Sequence, residues 1–133
     1  MNSIAIADML ERGVLQTVDS TNVDSFLAGP GLRVVFFAGP GNQHGDSHDV
    51  AVALREVLKE YKNGLCAALV EATQEAQLQP RFRVLTLPSL ALCVGGETLE
   101  VIPGVRDWGD YSRAFRRYLG NTGAQTFTGS NQQ

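Results

Sequence analysis

The sequence predicts a three-layer α/β/α domain around a mixed sheet, and three observations carry that prediction. Two near-continuous apolar runs, residues 32–38 and 65–70, suit central strands covered on both faces. Segments with a 3.6-residue apolar period lie between the strand-like runs, as crossovers between parallel strands require. A Gly95-Gly96 pair between two further strand-like runs closes an antiparallel hairpin.

Taken in order, residues 3–12 read as a short helix, with Ile4 and Leu10 on one face and Gly13 ending it in a left-handed conformation. Residues 14–18 read as a short strand. Thr21 is the expected N-cap of a helix whose apolar face is Val23, Phe26 and Leu27, and Gly29-Pro30-Gly31 ends it. The run at 32–38 leads into a loop from Gly39 to Gly45. Asp46 is then the expected N-cap of the next helix, with Asp49 in the capping-box position. That helix carries Val50, Leu54, Val57, Leu58 and Tyr61 at helical spacing, and Asn63-Gly64 stops it. After the strand at 65–70, residues 73–82 read as a shorter helix that Pro80 distorts. The hairpin pairs residues 90–94 with 98–102. Asp107 is the expected cap of a last helix, whose aromatic stripe of Trp108, Tyr111, Phe115 and Tyr118 is expected to lie on the sheet. Residues 1–120 form the expected single domain. Residues 121–133, rich in Gly, Thr, Gln, Asn and Ser, are expected as a loose tail.

Composition narrows the function classes. At 133 residues, 44% hydrophobic and 19% charged, the chain has the makings of one core. A net charge of −3 argues against a nucleic-acid or anionic-membrane partner and fits a basic peptide better. The N-terminus has no basic segment followed by an apolar run, and no stretch approaches the ~20 apolar residues of a membrane span, so a cytoplasmic location is expected. Cys66 and Cys93 each sit inside an apolar run, and both are expected to be reduced, buried and slow to react.

Few side-chain constellations suggest chemistry. Gly39-Pro40-Gly41 lacks the Lys-Ser/Thr of a phosphate loop and reads as a turn. The span from His44 to Asp49 holds two histidines and two carboxylates, but the helix start breaks a one-face geometry and capping accounts for Asp46 and Asp49. No metal or cofactor is expected. Arg113, Arg116 and Arg117 read as the solvated side of the last helix.

The order of elements and several residues resemble thioredoxin. Val34-Val35-Phe36-Phe37-Ala38 is similar to the strand before the thioredoxin active-site loop. Gln79-Pro80-Arg81-Phe82-Arg83-Val84 followed by Leu87-Pro88-Ser89-Leu90 resembles the approach to its cis-proline turn, which predicts a cis Leu87–Pro88 bond. The loop that corresponds to Cys-Gly-Pro-Cys runs Gly39 to His44 and holds no cysteine. Thiol exchange needs a reactive thiolate and a resolving partner, and that loop offers neither.

A narrower resemblance rests on Arg81-Phe82-Arg83-Val84, Leu87-Pro88, Gly95-Gly96 and Gly104-Val105-Arg106-Asp107-Trp108. These are similar to the HyaE/HupG/HoxO family of hydrogenase expression proteins, which have a thioredoxin-like fold without the redox motif. The resemblance spans about residues 3–119. It implies a non-catalytic chaperone in maturation of an uptake nickel-iron hydrogenase, with the small-subunit precursor and its twin-arginine signal peptide as partner. The binding residues expected on this reading are Leu87, Pro88 and Ser89 of the proline turn, Gly39, Pro40 and Gly41 of the loop, and the carboxylates Asp46 and Asp49. Peptides bind such turns by strand-like pairing. Two alternatives stand beside it: a divergent thiol-disulfide enzyme using Cys66 or Cys93, and a structural subunit of another complex.

Overall fold

The computed structural model describes residues 3–39 and 45–124, with 120–124 as backbone alone. The chain runs α1 (Ile4–Glu11), β1 (Leu15–Val18), α2 (Val23–Leu27), β2 (Leu32–Phe37), α3 (Gly45–Glu60), β3 (Leu65–Val70), a 3-10 turn (Ala72–Gln74), α4 (Glu75–Phe82), β4 (Ser89–Val94), β5 (Glu97–Pro103) and α5 (Trp108–Ala124). The sheet order is β1-β3-β2-β4-β5. β3 pairs in parallel with both β1 and β2, whereas β4 is antiparallel to β2 and to β5. This is the thioredoxin-like three-layer α/β arrangement that the sequence predicts.

Alternation along β2 explains its apolar run. Val34 and Phe36 face the layer of α1, α3 and α5, where Ile6, Met9, Leu54, Tyr111 and Phe115 are buried with them. Val35 and Phe37 face the opposite layer of α2 and α4, against Phe26, Leu78 and Phe82. Phe37 meets Phe82 edge to face at 5.7 Å between ring centroids. From Val34 to Phe37 both sides of β2 are therefore dry, while Arg33 near its start is only half-buried and donates to the Pro30 carbonyl. In the hairpin, Gly95 and Gly96 both have positive φ, the geometry that a two-residue turn needs to match strand twist.

The elements differ from expectation in places, each for a local reason. Ser3 caps α1 by accepting the Ile6 N–H at 3.0 Å, and Ala5, Ile6 and Met9 are buried while Ile4 is 81% exposed. Two apolar positions do not choose the buried face of a two-turn helix. The turn before α2 is organised by Asp19, not Thr21: the Asp19 carboxylate accepts the N–H groups of Thr21 and Asn22, and Asn22 is the N-cap. Asp46 lies inside the first turn of α3 rather than at its cap, because the helix already begins at Gly45. The segment before α4 is a 3-10 turn, so the α-helix starts at Glu75 and Pro80 sits inside it, two residues from the end. The helical backbone of α5 continues through Ala124; residues 125–133 of the expected tail lie outside the described residues.

Two larger corrections bear on function. Cys66 is exposed, while Cys93 is buried as expected. Cys66 shares its sheet face with Ala68 and Val70, which are buried in the α2/α4 layer, but it stands at the start of β3 where that cover ends. Trp108 is 46% exposed although Tyr111, Ala114 and Phe115 behind it are buried. It stands at the very start of α5, one turn before the buried Tyr111.

Candidate functional site

Strand directions gather the expected site residues at one end of the sheet. Phe37, the last residue of β2, pairs with Ser89, the first of β4, which in turn pairs with Pro103, the last of β5. The carboxyl end of β2, the Pro88 turn and the β5–α5 loop therefore lie side by side. The first turn of α3 joins them: Ser47 Oγ donates to the carbonyl of Ala38 just beyond β2.

The Leu87–Pro88 bond is cis, as predicted. The Gly104 N–H donates to the Pro88 carbonyl at 2.8 Å, and the buried Tyr111 hydroxyl donates to the Gly104 carbonyl at 3.3 Å while accepting the Arg106 N–H at 3.2 Å. The β5–α5 loop is thus stitched to the proline turn on one side and to α5 on the other. Burial pushes the Tyr111 phenol up, against the opposing pull of the Arg106 backbone N–H and its guanidinium. Gly39 has φ +87°, and a Cβ there would stand 3.1 Å from Leu87 Cβ, so only glycine lets the loop start pass so close to the turn.

Of the expected binding residues, the structure therefore brings together Gly39, Leu87 and Pro88, and Asp49 is exposed near the start of α3. Asp46 is exposed in the first turn of α3. Pro40 and Gly41 lie outside the described residues, as does His44. Ser89 differs from expectation: it is fully buried, with its hydroxyl turned in to donate to the Thr86 carbonyl, and Leu87 is half-buried. The exposed apolar groups near this turn are instead Leu85, 89% exposed, together with Val105 and Trp108 beyond the stitched loop. Sequence reasoning missed all three as surface groups, since an apolar residue in a short segment carries no mark of which way it points.

Glu75 is a further residue that the sequence did not single out. It opens α4 and is only 6% exposed, and its carboxylate accepts the Gly39 N–H at 2.8 Å. A glutamate at a helix start looks like an ordinary dipole partner. Here it holds the start of the site loop from below. Burial pushes its carboxyl above the ordinary 4.5, against the opposing pull of the Gly39 and Ala38 backbone. The folded chain therefore binds this proton more readily than the unfolded chain does. The stability this confers is fully present below the ordinary value and is lost as pH rises through the raised one. In melts across that range, wild type is expected to lose stability relative to Glu75→Gln as pH rises, because the amide oxygen retains the Gly39 bond without titrating. A pH-independent difference between the two would contradict this.

The two cysteines do not form a pair. Cys66 and Cys93 both stand opposite Arg33, one in each strand flanking β2, so two strand spacings, about 10 Å, separate them. That exceeds the ~7 Å limit for a disulfide. Burial pushes the Cys93 thiol up. A thiol reagent should accordingly label Cys66 rapidly in the native protein and Cys93 only on unfolding; mass mapping of the labelled peptides checks it. Among the described residues no group of three or more His, Cys, Asp and Glu side chains is placed to hold a metal, and no helix is long and apolar enough to cross a membrane.

Fold and site together define a thioredoxin-like protein whose site loop has no Cys-x-x-Cys, with a buried carboxylate beneath that loop and apolar groups around a cis-proline turn. The sequence pattern of the family described as Hydrogenase-1 expression protein HyaE matches residues 5–111, and the chain belongs to that family. It is 34% identical over 123 residues to the hydrogenase expression/formation protein HupG of Rhizobium leguminosarum bv. viciae, covering 90% of this chain and 83% of that one. It is 36% identical over 121 residues to the hydrogenase expression/formation protein HoxO of Cupriavidus necator, covering 86% and 75%. The HupG of Rhodobacter capsulatus is 33% identical over 101 residues, covering 76% and 73%.

Proposed function

We propose that this chain is a non-catalytic accessory protein of hydrogenase maturation that holds the small-subunit precursor by its twin-arginine signal peptide. Family membership supports the hydrogenase role. The observation that carries the binding role is the meeting, at one end of the sheet, of exposed apolar groups and unburied carboxylates. Leu85, Val105 and Trp108 offer apolar contact, and Asp46, Asp49 and Asp107 are exposed at the helix starts beside them. A signal peptide that is basic at one end and apolar beyond complements both. Edge-on backbone pairing at the Pro88 turn would hold it extended without a covalent step. The buried Glu75 and the Gly39–Leu87 approach hold Gly39 against the turn before a partner arrives, which lowers the ordering cost of binding there.

The test is capture of the small-subunit precursor and of its signal-deleted form by the tagged full chain. Preferential capture of the precursor is expected. Equal capture of both removes the signal peptide from the reading, and capture of neither removes the hydrogenase partner.

One observation favours a second reading, a thiol enzyme: Cys66 is exposed and therefore open to a disulfide substrate. Against it stands the distance to Cys93, which leaves no resolving thiol. Cys66→Ser is expected to support hydrogenase maturation at the wild-type level; loss of maturation in that variant, with its melt unchanged, would favour the enzyme.

A further inference from the structure

The opposite end of the sheet carries a second feature, unrelated in position to the proline turn. Where β1 and β3 begin, between α1 and the second half of α3, lies a cleft of about 360 Å³. Its floor is apolar, built from Met9, Leu58 and Leu65. Its rim carries Arg12, Arg55, Lys59 and Lys62 against a single carboxylate, Asp8.

The charges on this rim are poorly matched. Arg12 and Arg55 share Asp8, at 3.8 and 3.4 Å. Lys59 reaches Glu56 at 3.4 Å, one turn back on the same helix face. Both contacts of Asp8 are long for ion pairs, and one carboxylate serves two guanidinium groups. The Arg55 Nε is buried and has no hydrogen-bond partner among the described residues, which is a costly state for a charged donor. A chain with a net charge of −3 has thus collected a local excess of positive charge around an apolar floor.

We infer that this cleft docks an acidic segment of a partner protein, with an apolar side chain on the floor and flanking carboxylates on the rim. The floor separates this occupant from a small inorganic anion, which would gain nothing from Met9, Leu58 and Leu65. The rim separates it from a basic or purely apolar segment, because burying unmatched cations under either is unfavourable. A ligand carboxylate would relieve the sharing of Asp8 and give the second guanidinium a counter-charge of its own. The cleft and the proline turn lie at opposite ends of the strands, so the two can be occupied together. The inference stands whether or not the signal-peptide reading does.

The probe is a dye-labelled peptide of alternating glutamate and leucine pairs, compared with its lysine counterpart, each added to the full chain. The acidic peptide is expected to bind, more tightly than its lysine counterpart, and to weaken with added salt. In the double variant Lys59→Glu, Lys62→Glu its affinity should fall at least about tenfold, as expected for losing two rim charges and gaining two repulsive ones. Both lysines are exposed, so the melting temperature should hold and the variant remains a fair test. The inference is overturned if the acidic peptide does not bind, if it binds no more tightly than its lysine counterpart, or if the double variant binds it as well as wild type does. Displacement of the peptide by an equal concentration of inorganic phosphate would also overturn it, in favour of a small-anion site. Loss of peptide binding as the concentration of the chain itself rises would do so too, in favour of self-association.

Discussion

Phe115→Ala is expected to remove about 3–5 kcal/mol of stability, the usual cost of emptying a buried aromatic site. Phe115 has no exposed surface and sits where α5 meets the α1/α3 layer over β2 and β4. It belongs to the same buried cluster as Val34, Phe36, Leu54 and Leu92, each also fully buried, so truncation opens a void in a dry core. Domains of this size have only about 5–15 kcal/mol in all. The melting temperature should fall by roughly 10 °C or more. Thermal melts followed by circular dichroism read this directly, and a shift of a degree or two would mean that α5 is not the cover of this core. Partner binding measured well below the melting point should survive in the variant, since Phe115 reaches no surface.

Trp108→Ala is expected to do the reverse: lower partner affinity about 30-fold, equivalent to about 2 kcal/mol, while costing the fold much less than Phe115→Ala. Half of the indole is already in water, and that half contributes nothing to holding the chain together. A large, rigid, half-exposed aromatic beside a peptide-sized turn has the properties of an interface anchor. Leu85→Ser sharpens the comparison. At 89% exposure Leu85 is nearly irrelevant to the core, so this variant should melt like wild type and still bind the precursor more weakly. If both variants keep full affinity, the proline-turn end is not the partner surface. If Trp108→Ala melts as low as Phe115→Ala, the indole supports the fold as its helical spacing suggested.

That suggestion shows where reading the chain succeeds and where it stops. Helical period assigns Trp108, Tyr111 and Phe115 to one face of α5, and they do share one. It does not say that the first member of the stripe, at the very start of the helix, is left half in water. Cys66 is the same case on a strand. Its alternation places it with Ala68 and Val70, yet the helices over that face do not reach the start of β3. Glu75 is the converse, a charged residue at a helix start that looks solvated in the sequence but is buried and bonded to the Gly39 N–H just beyond β2.

The chain by itself determined the order of elements, the central strands and the glycine hairpin, each from local chemistry: backbone freedom at glycine, or the two- and 3.6-residue periods that assign a side chain to a face of its own element. The cis-proline turn and the site loop without a redox motif were legible through the resemblance to thioredoxin. Burial at the ends of elements was decided only by the tertiary structure, and with it the accessible thiol, the exposed tryptophan, the buried glutamate and the cationic cleft between α1 and α3. Cover at an element's end depends on where a neighbour distant in sequence starts and stops, and the periodicity of one segment does not record the length of another.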